Sequence, residues 1–162
     1  MGGGSCEPQT CISLLDNGAM YDQILVPTDG SQTAKKALRS AVQVARQNDA
    51  DLHVLHVIDE VPPTRNPGML EEKQKQQQEE AEQLVEDALA GVDTEQVRVE
   101  RAVRHGRPDE AVLDYAQDLD MDLVIMGRHG RSGLDRWLLG STTERVLRSS
   151  SLPVLVIPPA EE

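Results

Sequence analysis

The chain has 162 residues, 38% of them hydrophobic but only 2% aromatic, with no Phe and a formal net charge of −12. A chain of this length is expected to form one domain whose single core is aliphatic, as in parallel sheets covered by helices. The negative charge makes nucleic acid and anionic membranes poor partners. It fits adaptation to high salt or an ordinary acidic protein equally well.

The first 19 residues differ from the rest, because they are rich in Gly and contain both cysteines, Cys6 and Cys11. A second methionine, Met20, directly precedes a strong strand pattern. We interpret residues 1–19 as a tag or disordered extension and expect residues 20–160 to form one domain. No segment approaches the roughly 18 apolar residues of a membrane span, and no signal peptide is recognisable, so we expect a cytoplasmic protein.

Short apolar runs alternate with helical patterns along the rest of the chain. Strands are predicted at Gln23–Pro27, Leu52–Ile58, Val97–Val103, Leu123–Met126 and Val154–Ile157. Helices are predicted at Gln32–Asn48, Met69–Ala90, Pro108–Leu119 and Ser141–Arg148. The alternating polarity of Val97–Val103 indicates an edge strand. The alternation of strands and helices predicts an α/β fold with a doubly wound parallel sheet.

Two turns after predicted strands carry polar and glycine residues. Asp29-Gly30-Ser31 follows the first strand and includes a helix N-cap signal, and Gly127-Arg128-His129-Gly130 follows the fourth. Gly140 and Ser141 then precede the last helix. Glycine lets backbone approach a ligand closely, and the first amides of a helix bind anions. Doubly wound sheets bind ligands at such strand ends, so the pattern predicts a phosphate-bearing ligand.

These residues resemble the universal stress protein family, and in particular its ATP-binding branch. The family signature G-x2-G-x9-G-[ST] is present here with its full spacing as Gly127, Gly130, Gly140 and Ser141. The segments ILVPTDGS, LHVLHVID and PVLVIP at the first, second and last strands support the resemblance, which covers residues 21–158.

The resemblance implies a three-layer α/β sandwich with a five-stranded parallel sheet of order 3-2-1-4-5, a Rossmann-like fold of the adenine nucleotide α-hydrolase type. It also implies a homodimer paired through the last strand, Val154–Ile157, while further protein partners stay unknown. That strand is short, apolar and bounded by prolines, which suits pairing with a second copy.

The resemblance further implies that the chain binds ATP, with or without Mg²⁺. Asp29, beside Pro27 and Thr28, would meet the adenine–ribose end, Val57 would line the adenine pocket, and the glycine motif would hold the phosphates. The full set of expected nucleotide-binding residues is Pro27, Thr28, Asp29, Val57, Met126, Gly127, Arg128, His129, Gly130, Gly140, Ser141, Thr142 and Thr143. Arg131 and Arg136 lie in the same loop as the motif.

Some of these residues also permit purely structural interpretations. The run from Ser141 to Glu144 is a capping box, S-x-x-E, so Ser141 could cap the helix, contact phosphate or do both. Asp29 could instead shape its turn or cap the helix that follows. His53 and His56 are three residues apart in a strand and point to opposite faces, so we predict no metal site there.

The chain contains neither a P-loop nor the G-x-S-x-G nucleophile motif, and we assign no catalytic residue. The sequence therefore predicts a dimeric ATP-binding stress-response module. A slow ATPase or phosphotransferase, with His129 or Asp29 positioning water, is one alternative. A ligand-free dimeric scaffold is another, against which the intact glycine motif argues.

Overall fold

Strands and helices alternate throughout the computed structural model, which describes residues 20–60, 65–129 and 138–160. The strands are β1 Gln23–Pro27, β2 Asp51–Ile58, β3 Val99–His105, β4 Leu123–Gly127 and β5 Val154–Ile157. The helices are α1 Gln32–Asn48, α2 Pro67–Ala90, α3 Pro108–Asp118 and α4 Ser141–Ser149. All strand pairs are parallel in the order β3-β2-β1-β4-β5, which confirms the fold and strand order expected above. The proposed extension, residues 1–19, lies outside the described residues.

The third strand begins and ends two residues later than its apolar pattern predicted. Val97 closes a turn, where its amide donates to the Thr94 carbonyl at 3.1 Å, and Gln96 before it has a φ of 65°. The Val97 side chain nevertheless packs against the core, which is why its apolar character resembled a strand position. Within the described ranges, β3 pairs with β2 alone and is an edge strand, as its alternating polarity predicted.

The core lies in two aliphatic layers, one on each face of the sheet. α1 and α2 pack on Ile24, Val26, Leu52, Val54, Leu123 and Ile125. α3 and α4 pack on the alternate residues Leu25, Leu55, Val124 and Met126. Side chains of consecutive strand residues point to opposite faces, so a strand buried on both faces is apolar throughout. None of the helices in the described ranges is long and apolar enough to cross a membrane.

The strand order reverses at β1, which lies between β2 and β4. The chain leaves β1 toward one face of the sheet and leaves β4 toward the other, which opens a crevice beyond the carboxyl ends of these strands. Thr28 and Asp29 follow β1 directly, and Arg128 and His129 follow β4. The fold therefore brings the two polar turns predicted from the sequence to one edge of the sheet.

Candidate functional site

A cavity of about 750 Å³ lies at this edge, beyond the carboxyl ends of β1, β2 and β4. Most residues expected to bind nucleotide line it: Pro27, Thr28, Asp29, Val57, Met126, Gly127, His129, Gly140, Ser141, Thr142 and Thr143. Arg128 is not part of the lining, while Gly130, Arg131 and Arg136 lie outside the described residues. The sequence thus predicted a set of residues that the fold gathers around one cavity.

The turn after β1 is held by its own hydrogen bonds. The Asp29 carboxylate oxygen Oδ1 accepts from the Ser31 amide at 2.9 Å, and Thr28 Oγ1 accepts from the Gly30 amide at 3.2 Å. Gly30 has a φ of 78°, which glycine adopts without strain. Ser31 then caps α1 by accepting from the Ala34 amide at 3.1 Å, as its N-cap signal predicted. Asp29 therefore shapes the turn, and its carboxylate is fixed at the cavity wall.

The two described motif glycines occupy places that a larger residue would overfill. A Cβ on Gly127 would lie 2.8 Å from Thr33 Cγ2, and a Cβ on Gly140 would lie 3.0 Å from His129 Cα. Both distances are shorter than ordinary van der Waals contact. The sequence suggested that glycine serves ligand approach, and the structure adds that glycine is needed for packing within the protein.

Among the described residues, no side chain caps the first turn of α4. The N-cap residue is Gly140, and its amide donates to the Arg128 carbonyl at 2.8 Å. The capping-box interpretation of Ser141 is therefore wrong, because Ser141 is already the first helical residue and Glu144 pairs with Arg148 at 2.7 Å instead. The first amides of α4 present the positive end of the helix to the cavity, which Ser141, Thr142 and Thr143 line.

Thr143 and Arg128 join the walls of the cavity to the sheet. Thr143 Oγ1 donates to the Gly127 carbonyl at 2.9 Å, so this hydroxyl binds α4 to the end of β4. The Arg128 amide donates to the Ile157 carbonyl at 2.8 Å, while the Arg128 carbonyl accepts from Gly140. The backbone of Arg128 thus connects β5 with the start of α4.

Charge is distributed unevenly around the cavity. Asp59, at the end of β2, and Glu80, on α2, line the side nearest β2. The lining residues contributed by β4, the described part of the following loop and α4 include no acidic residue. An anionic group of a ligand is therefore repelled from the β2 side and attracted to the uncapped amides of α4.

Two buried side-chain atoms of the described residues have no hydrogen-bond partner within the chain, His129 Nδ1 and Gln77 Oε1. Both residues line the cavity. Leaving a buried polar group unpaired costs about 1–3 kcal/mol, so a ligand that pairs with these atoms would recover part of that cost. His129 was expected at the site and Gln77 was not. Gln77 precedes Ala81 and Leu84, which also line the cavity, at helical spacing, and this spacing is the signal that could have identified Gln77.

The two histidines of β2, His53 and His56, have different hydrogen-bond partners. His53 Nε2 donates to Gln23 Oε1 at 2.9 Å, which leaves Nδ1 to accept from the Tyr115 hydroxyl at 2.8 Å. Burial lowers the pKa of His53, against the opposing charges of Glu100 and Asp51, so the neutral ring is favoured. His56 Nδ1 donates instead to the Thr28 carbonyl at 2.8 Å. Both rings are used in hydrogen bonds that hold β2 to its neighbours.

Comparison with known proteins gives one consistent family. Residues 20–158 match the sequence model of the universal stress protein family. Universal stress protein MJ0531 of Methanocaldococcus jannaschii is 31% identical over 148 residues, which cover 90% of this chain and 87% of that protein.

Solved structures show the same architecture. The hypothetical protein MJ0577, also from Methanocaldococcus jannaschii, superposes with a TM-score of 0.75 at 34% identity, over 89% of this chain and 100% of that one. A universal stress protein solved in complex with cAMP superposes with a TM-score of 0.57 at 26% identity, over 86% of this chain and 98% of that one.

Proposed function

Because the chain belongs to the universal stress protein family, we propose that it binds ATP in the cavity beyond β1, β2 and β4 and acts as a nucleotide-dependent stress-response module. The observation that carries the proposal is the uncapped first turn of α4, Ser141 to Thr143, at the wall of a cavity large enough for a nucleotide. Backbone amides at the positive end of a helix bind phosphate well. The relative in complex with cAMP, an adenine nucleotide, supports the same class of ligand.

The charge distribution supports one orientation of the nucleotide. The phosphates would lie against Gly140, Ser141 and Thr142, with His129 beside them, because the acidic residues Asp59 and Glu80 line the opposite side. The base would then lie near Val57, whose apolar side chain suits a purine face. Thr143 would act through α4, since its hydroxyl already donates to Gly127.

A divalent cation fits this arrangement only together with the phosphates. Asp29 is the acidic lining residue between the two sides, and one of its oxygens already accepts from the Ser31 amide. Mg²⁺ prefers oxygen ligands in octahedral geometry and commonly combines one or two carboxylates with substrate phosphates. We therefore propose that Mg²⁺ enters with ATP and that Asp29 supplies the protein's oxygen.

The first experiment is to purify the protein without added nucleotide, denature it, and identify any released small molecule by ion-pair chromatography and mass. We expect intact ATP at close to one molecule per chain. If the protein is purified empty, calorimetric titration with Mg²⁺ and ATP should show one site per chain. Release of ADP alone would favour the slow ATPase alternative. Neither bound nucleotide nor heat of binding would contradict the proposal and favour the ligand-free scaffold.

We also propose that the chain forms a homodimer through β5. In the sheet of the described residues this strand pairs with β4 alone, so it forms the edge opposite β3, and Leu155 on it is 42% exposed. Pairing with a second copy would cover both the unpaired backbone groups and this side chain.

Leu155→Lys is expected to weaken the dimer by about 100-fold, because a two-fold interface loses the burial of both leucines, about 3 kcal/mol in total. Sedimentation velocity over a range of concentrations measures the effect. Leu119→Lys is the matched control, since Leu119 is 43% exposed but follows α3. A wild-type monomer, or equal effects of the two variants, would contradict pairing through β5.

A further inference from the structure

We propose that Gln77 on α2 determines base specificity by accepting a hydrogen bond from the 6-amino group of adenine. The inference rests on the proposed function, because it assigns a role within the same cavity. Gln77 lines that cavity, and its Oε1 is one of two buried side-chain atoms of the described residues without a hydrogen-bond partner. The other atom, His129 Nδ1, belongs to the loop after β4.

The position of α2 places Gln77 at the base end of the cavity. α2 packs beside β2, whereas the phosphate-binding amides belong to α4, which follows β4 on the other side of β1. Ala81 and Leu84, one and two turns after Gln77, also line the cavity and provide apolar surface for the faces of a purine ring. Glu80, directly before Ala81, also lines the cavity and repels the phosphates from this end.

A hydrogen bond to Oε1, rather than from the Nε2 amide of the same side chain, would favour adenine. Oε1 only accepts hydrogen bonds, and adenine presents an amino donor at position 6. Guanine and hypoxanthine present a carbonyl oxygen at that position, which leaves two acceptors facing each other. Oε1 of Gln77 has no partner among the described residues. The amino group of adenine would supply one, whereas a carbonyl oxygen would leave it unpaired.

Calorimetric titration with ATP and with purine riboside 5′-triphosphate, which lacks only the 6-amino group, isolates this contact. We expect the wild-type protein to bind ATP about fivefold more tightly, as one hydrogen bond would give. Gln77→Met keeps the length of the side chain but removes the acceptor, so it should bind both nucleotides equally. Gln83→Met is the matched control, because Gln83 is exposed on the same helix and bonds to Asp87. It should keep the fivefold ratio.

A second variant separates loss of the acceptor from damage to α2. Gln77→Glu keeps an acceptor oxygen and should keep the preference for ATP, even if its charge beside Glu80 weakens both complexes. An unchanged ratio in Gln77→Met would overturn the role of Gln77 while leaving ATP binding intact, and so would a wild-type preference for ITP over ATP. Failure of the wild-type protein to bind either triphosphate would instead overturn the proposed function itself.

Discussion

Gly127→Ala is expected to lower the free energy of unfolding by about 2 kcal/mol, the usual cost of overfilling a packed interior. The added methyl carbon would lie 2.8 Å from Thr33 Cγ2 and 3.2 Å from the Thr33 carbonyl carbon. Thr33 is in the first turn of α1 and is only 7% exposed, so it has little room to move. Urea denaturation followed by circular dichroism measures the change.

Two further variants test the cause of this loss. Gly91→Ala is the matched control, because nothing lies within 4 Å of a Cβ built there, and its stability should change little. Thr33→Ser, introduced into the Gly127→Ala protein, removes Cγ2 and should restore part of the lost stability. The backbone contact would remain, so full recovery is not expected. A double variant as unstable as Gly127→Ala alone would show that the clash with Cγ2 is not the cause.

Gly140→Val is expected to weaken ATP binding by about 100-fold, equivalent to about 2.7 kcal/mol. Its Cβ would lie 3.0 Å from His129 Cα and 3.3 Å from the Arg128 carbonyl oxygen, both of them backbone atoms. The start of α4 would therefore have to move away from the loop after β4, and the hydrogen bond from the Gly140 amide to Arg128 would lengthen. The amides proposed to hold the phosphates would move with it.

Calorimetry with Mg²⁺ and ATP measures this effect, provided that thermal unfolding shows each variant to be folded at the temperature used. Gly91→Val introduces the same side chain at a position that does not line the cavity, and it should bind ATP as the wild-type protein does. Gly140→Ala should give an intermediate loss, since it adds the close contact without the branched methyls. Unchanged affinity in folded Gly140→Val would show that the phosphates do not lie at the start of α4.

The elements and the composition of the core follow from the sequence because their signals are local. Apolar runs and helical spacing predicted the bounds of each described strand and helix to within two residues. Ser31 caps α1, as its sequence context predicted. The strand order does not follow from local signals, because periodicity predicts a parallel sheet without showing which strands are neighbours. The order was expected from the glycine motif and its resemblance to a family, and the pairing of β1 with both β2 and β4 confirms it.

The errors and omissions at the site arise from contacts between distant parts of the chain. Ser141 to Glu144 matches a capping box, but Gly140 is the N-cap, since its carbonyl accepts from the Glu144 amide at 2.9 Å. The Gly140 amide bonds to Arg128, twelve residues earlier. No pattern within the helix reveals that contact. Gln77 lies in the polar part of α2, one turn before the apolar positions Ala81 and Leu84, and the packing of α2 beside β2 brings it to the cavity.

The start of α4 and the edge strand β5 are connected through the backbone of one residue, Arg128. The two hydrogen bonds that make this connection use main-chain atoms of Arg128, the amide toward Ile157 and the carbonyl toward Gly140. The connection itself therefore does not select for arginine at position 128, because any residue with an amide hydrogen and a carbonyl can make both bonds. Proline is the exception, because it has no amide hydrogen to donate.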